Sequence, residues 1–202
     1  MNYREVGTTM FPAPRGININ MMPYIMGEPS SVPEEYRGYL PIISMCDIPE
    51  DERGKTGYIT ITESLVSAGR SQRRPGPHTE RHGKDRGWGG GWGGLSGGLY
   101  IASSLGGSTR IWDTLILEPG EGGDLSQIES ELKRVPSDVM KENTLYWLTD
   151  ATPHEALVQE TSTYRQFFRL VTSEVDIWYR DHSTENRLGV APDARILNGS
   201  KF

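Results

Sequence analysis

The segment Pro77-His78-Thr79-Glu80 carries an imidazole and a carboxylate two residues apart. On a strand, alternate residues face the same side, so both groups can converge on one point. A second histidine, His154, follows 76 residues later in Thr152-Pro153-His154-Glu155. Two imidazoles and one carboxylate can hold an iron(II) ion and leave its other positions open for substrate and oxygen. The chain has 4 histidines, His78, His82, His154 and His182, so few are spare. Past His154 come Arg165 and Arg169. On a strand, residues 165, 167 and 169 share a face, which aims both guanidiniums one way with Phe167 between them. A guanidinium fork suits a carboxylate, which it meets with two parallel hydrogen bonds.

Two stretches near His78 bear on what such a site would accept. Arg70, Arg73 and Arg74 lie just before it. They read either as a solvated basic loop or as a patch that attracts an anionic substrate, with Arg74 as the contact. After Glu80, the run Gly87-Trp88-Gly89-Gly90-Gly91-Trp92-Gly93-Gly94 is too rich in glycine for a packed strand or helix. It reads either as a mobile loop with two stray tryptophans or as a glycine-hinged lid that lays Trp88 and Trp92 over a substrate.

The elements that must position these groups are mostly short strands. The chain has 202 residues, which suits a single domain with a sizeable core. Tyr58 to Thr62 alternates and predicts a strand. Leu99 to Ser104 and Thr109 to Ile116 are strand-like, and Gly106-Gly107 between them predicts a hairpin. Thr144 to Leu148 predicts a strand leading to His154, and Tyr164 to Thr172 predicts its hairpin partner. The apolar run Tyr39 to Met45 reads as another strand, and Pro33 with two acids after it as the start of a short helix. Asp124 to Arg134 predicts the one clear helix, with Leu125, Ile128 and Leu132 as its apolar stripe. Residues 1–35 read as an irregular arm and residues 181–202 as a polar tail. This pattern predicts a mainly β chain, a barrel or sandwich with a few peripheral helices.

Composition narrows the function classes. Mean hydropathy is −0.53, and no apolar run is long enough for a membrane span. The first residues lack an apolar leader core, and the single cysteine, Cys46, permits no intrachain disulfide. A cytoplasmic location is the expectation. Net charge is −6, which argues against a nucleic-acid surface and leaves a small-molecule substrate.

The spacing His78-Thr79-Glu80, then His154, then Arg165 eleven residues later, resembles the iron(II)- and 2-oxoglutarate-dependent dioxygenases, in particular their phytanoyl-CoA hydroxylase-like and taurine dioxygenase-like branches. The resemblance covers residues 58–172, with 1–57 as an N-terminal arm and first elements and 173–202 as an extension. It implies a double-stranded β-helix, a jelly-roll or cupin-like barrel. It implies iron(II) on His78, Glu80 and His154. It also implies the far carboxylate of 2-oxoglutarate on Arg165, with Arg169 as a second cosubstrate or substrate contact. The chain departs from the pattern at Glu80, where aspartate is usual. Retaining a carboxylate there favours hydroxylation, desaturation or cyclisation over halogenation.

Two alternatives stay open. One is a cupin-type metalloenzyme without 2-oxoglutarate, in which His82 joins His78 and Glu80, although the two histidines one residue apart that cupins usually carry are absent. The other is a non-enzymatic β-barrel binding module with buried histidines. Asp113 reads as a polar residue at a strand end, Glu155 as facing away from the site, and His182 as solvent-exposed.

Overall fold

The computed structural model describes residues 2–81 and 98–199. These form a mainly antiparallel β structure with few and short helices. The strands are β1 (Tyr3–Thr8), β2 (Asn18–Ile25), β3 (Thr56–Val66), β4 (Leu99–Ser103), β5 (Thr109–Trp112), β6 (Ser137–Val139), β7 (Thr144–Leu148), β8 (His154–Ala156), β9 (Thr163–Val171), β10 (Ile177–Tyr179) and β11 (Arg195–Leu197). The two α-helices are α1 (Leu40–Met45) and α2 (Glu129–Leu132). A six-stranded sheet runs β1-β7-β4-β9-β3-β2 and a three-stranded sheet runs β6-β5-β8. β10 and β11 form a small parallel pair. Among the described residues the sheets do not close into a barrel. None of their helices is long and apolar enough to cross a membrane.

β9 lies near the centre of the large sheet, paired with β3 on one side and β4 on the other. Its alternation divides the core. Phe168 and Leu170 join one apolar cluster with Tyr24, Ile42 and Ile59, on the face that α1 covers. Phe167 and Val171 join a second cluster with Ile101 and with Ile111 of β5, on the face toward the small sheet. Residues 165, 167 and 169 therefore face the space between the two sheets.

The structure corrects six sequence expectations. β4 and β5 do not form a hairpin: the chain crosses at Gly106-Gly107 from the large sheet to the small one. A diglycine allows a reversal but does not set the partner. β8 pairs with β5, not with β9. Tyr39 to Met45 is the end of a 3-10 turn followed by α1, with Pro41 in its first turn, because a short apolar run fits a buried helix as well as a strand. The arm at residues 1–35 contributes β1 and β2 to the large sheet. The C-terminal segment is packed, not a free tail. Trp178 Nε1 donates to Met21 O at 2.8 Å, and buried Asn186 donates to Pro23 O and Ser31 O. Side-chain hydrogen bonds anchor it, which hydropathy does not register. The predicted helix at 124–134 is a 3-10 turn (Ser126–Ile128) running into α2.

Candidate functional site

His78 belongs to no long strand, yet its backbone is held on both sides. Its N–H donates to His154 O at 3.0 Å, and His154 N–H donates back to His78 O at 2.9 Å. A mutually bonded antiparallel pair places two side chains on the same face, directly opposite. The imidazole centroids are 4.6 Å apart. On the other side, Thr79 N–H donates to Gly123 O and Leu125 N–H to Pro77 O. Gly123 has φ +77, and a methyl group built on it would collide with Thr79 O and lie 3.0 Å from Arg81 O. The segment carrying His78 and Glu80 thus packs directly on this glycine.

Each histidine is held at Nδ1 by a backbone carbonyl. His78 Nδ1 bonds Gly76 O at 2.8 Å and His154 Nδ1 bonds Thr152 O at 3.0 Å. A carbonyl only accepts, so each Nδ1 carries a proton, and in the neutral imidazole Nε2 then carries the free lone pair. Burial, and next the neighbouring His154, push the His78 imidazole down to about 3. His154 Nε2 stands 3.8 Å from Glu80 Oε1. Glu80, 5% exposed, is also ion-paired with Arg169 Nη1. As placed, no three His, Cys, Asp or Glu side chains among the described residues form a group that could hold a metal ion. The donor types suit iron(II), while Glu80 leans toward the guanidinium.

The large sheet supplies the opposite wall. Arg165, Phe167 and Arg169 all line the cavity that holds His78, Glu80 and His154. Arg165 is 1% exposed, and it donates from Nε to Ser103 Oγ at 3.0 Å and from Nη2 to Thr109 Oγ1 at 3.1 Å. Both partners are neutral. Burial, and next Arg73, lower this guanidinium to about 9. Arg169 also donates to Thr60 Oγ1 at 3.3 Å.

The remaining candidates separate clearly. Arg74 lines the cavity but is tied to Gly122 O at 2.7 Å and to Asp124 at 3.4 Å. Arg73, not singled out from the sequence as a contact, also lines it. So does His182, which corrects its reading as solvent-exposed; Asn20 holds its carbonyl and draws the segment in. Glu155, read from the sequence as facing away, also lines the cavity, but its carboxylate bonds Arg110 at 2.9 Å; exposed Asp113 bonds Asn2. Trp88, Trp92 and His82 lie outside the described residues. The cavity thus gathers two imidazoles and the Glu80 carboxylate on one wall and the Arg165 guanidinium on the other. A search of protein-family models and a search of curated proteins each return no match to this chain.

Proposed function

We propose that this chain is a non-haem iron(II)- and 2-oxoglutarate-dependent oxygenase acting on a small molecule, built on an open form of the double-stranded β-helix. One observation carries the reading. Two Nδ1-protonated imidazoles from adjacent backbone segments share a cavity with the Glu80 carboxylate and with a buried guanidinium whose hydrogen-bond partners among the described residues are hydroxyls. His78, His154 and Glu80 would hold the iron, and Arg165 the far carboxylate of 2-oxoglutarate. When bound, the metal and cosubstrate supply the oxidising power for hydroxylation, desaturation or cyclisation at a substrate C–H bond.

The chain's own residues position and exclude. Gly76 O and Thr152 O fix the histidine tautomers and ring orientations, as carbonyl partners of metal-bound histidines do elsewhere. Arg169 orients Glu80. Ser103 and Thr109 hold the Arg165 fork in place, so little side-chain freedom is lost when a carboxylate arrives. Phe167 and Ile101 line the wall between the polar groups and exclude water there.

The test is anaerobic titration with iron(II), then 2-oxoglutarate, following the weak visible charge-transfer band of the chelated cosubstrate. The band is expected in the wild type and absent in His154→Ala and Arg165→Ala. Stoichiometric iron without a band would replace this reading with a cupin-type metalloenzyme. No iron binding would leave a non-enzymatic binding module.

A further inference from the structure

The oxygenase reading leaves one cation of the cavity unused. Arg73 is half-buried and lines the cavity with His78 and Glu80. Its guanidinium lies 5.3 Å from the centroid of Phe167, and Arg165 lies 5.1 Å from the same ring. Its hydrogen bond to Thr62 Oγ1 is long, at 3.5 Å. Among the described residues no carboxylate lies within ion-pair distance of it, whereas Arg74 has Asp124 and Arg169 has Glu80. Burial, and next Arg169, lower the Arg73 guanidinium to about 10. Arg73 in turn lowers the Arg165 guanidinium on the same ring. Charges taken out of water are normally paired, and two guanidiniums on one ring call for two anions. The cosubstrate's far carboxylate answers Arg165. A second oxyanion is needed for Arg73.

We infer that Arg73 binds an oxyanion carried by the primary substrate, so that the substrate is an organic acid bearing a carboxylate, sulfonate or phosphate. Phe167 steadies the plane of the guanidinium, and Thr62 holds one of its nitrogens. The fork can then meet two oxygens at once. Assigning this anion to the substrate rests on the oxygenase reading; the anion site itself does not.

Sulfate, and separately acetate, are titrated calorimetrically at constant ionic strength. The protein is tested alone and again after anaerobic loading with iron(II) and saturating 2-oxoglutarate. At least one anion is expected to bind in both states. Arg73→Met should weaken it by about tenfold or more, as expected for losing a charged hydrogen bond. In the loaded state Arg73→Lys should recover part of the affinity. Preference for sulfate assigns a tetrahedral group, and preference for acetate a carboxylate. Equal affinity in wild type and Arg73→Met, or no binding of either anion, overturns the inference. So does binding that disappears once 2-oxoglutarate is present, because the cavity then has one anion site. Should Arg73→Met not fold, Arg73→Gln takes its place. Anion binding at Arg73 without the charge-transfer band would sink the oxygenase reading and leave the anion site standing. The band without anion binding would do the reverse.

Discussion

Gly123 offers a sharp test of how the site is held, because Gly122 beside it is a built-in control. Both glycines are in the left-handed region, at φ +63 for Gly122 and +77 for Gly123. Alanine at either position loses about 1 kcal/mol to backbone strain. Nothing lies within 4 Å of a methyl group at Gly122. At Gly123 the methyl meets two carbonyl oxygens, those of Thr79 and Arg81. Relief requires the 78–81 segment to move away. That breaks Thr79 N–H to Gly123 O, 2.9 Å, and strains Leu125 N–H to Pro77 O, 3.1 Å. At about 1 kcal/mol per bond, Gly123→Ala is expected to lose about 2–4 kcal/mol in all, against about 1 kcal/mol for Gly122→Ala. Urea unfolding of both variants measures the difference. Displacing His78 and Glu80 should also weaken iron(II) binding by about tenfold or more in Gly123→Ala alone, because supporting contacts of metal ligands carry that much. If the two variants lie within about 0.5 kcal/mol of each other, the turn yields freely and Gly123 does not position the site.

Arg165→Met should raise the stability of the ligand-free protein by about 1 kcal/mol in urea, since an apolar residue replaces a buried cation whose partners among the described residues are hydroxyls; a marked loss would show that the hydroxyl pair already satisfies it. Asp150 is 2% exposed, its Oδ1 has no hydrogen-bond partner among the described residues, and burial pushes its carboxyl up to about 6. A raised folded value means that the stability it contributes is full below 3.8 and lost as pH rises through 6. Asp150→Asn should therefore be more stable than the wild type at neutral pH, by about 1–3 kcal/mol, with a flatter profile between those values; equal stability at neutral pH refutes this. Glu63, 5% exposed, accepts from Ile17 N, Tyr39 OH, Arg15 N and Gln166 Nε2. Burial pushes its carboxyl up, but these donors outweigh it and hold it below 4.5, so its contribution is present above that value and is lost as pH falls further. Glu63→Ala should lose about 3–5 kcal/mol and remove that acid limb, read by unfolding across pH.

Residue type alone made half of the site visible. The structure does bring together His78, Glu80, His154, Arg165 and Arg169, which stand out in the sequence as groups with few other uses. The strand alternation of β9 was equally legible, because its two faces meet different cores. What the sequence withheld was pairing. Gly106-Gly107 marks a reversal, but only the tertiary fold decides that β5 leaves β4 and joins β8. His182 was hidden because its segment is polar and is anchored by side-chain hydrogen bonds that have no periodicity. Singling out Arg74 over Arg73 as the contact has no physical ground in the sequence. Both reach the cavity, and what separates them is that Asp124, fifty residues away, answers only one.

The same difference explains why the site depends on so little regular structure. His78 and Glu80 sit on a segment with no extended ladder of its own, clamped between His154 on one side and Gly123 to Leu125 on the other. The position of one histidine is therefore set by the backbone of the other, through two reciprocal hydrogen bonds. A shift of β8 would carry both imidazoles together and keep their spacing. A shift of β9 would instead change the distance between the imidazoles and the guanidiniums, because β9 belongs to the other sheet. The spacing of the two histidines is thus set locally. The distance from the histidines to Arg165 is set by how the two sheets pack through Ile101, Ile111 and Phe167. Trimming that apolar contact should alter anion affinity before it alters metal affinity, since the cluster spaces the two walls while the paired backbone holds the histidines.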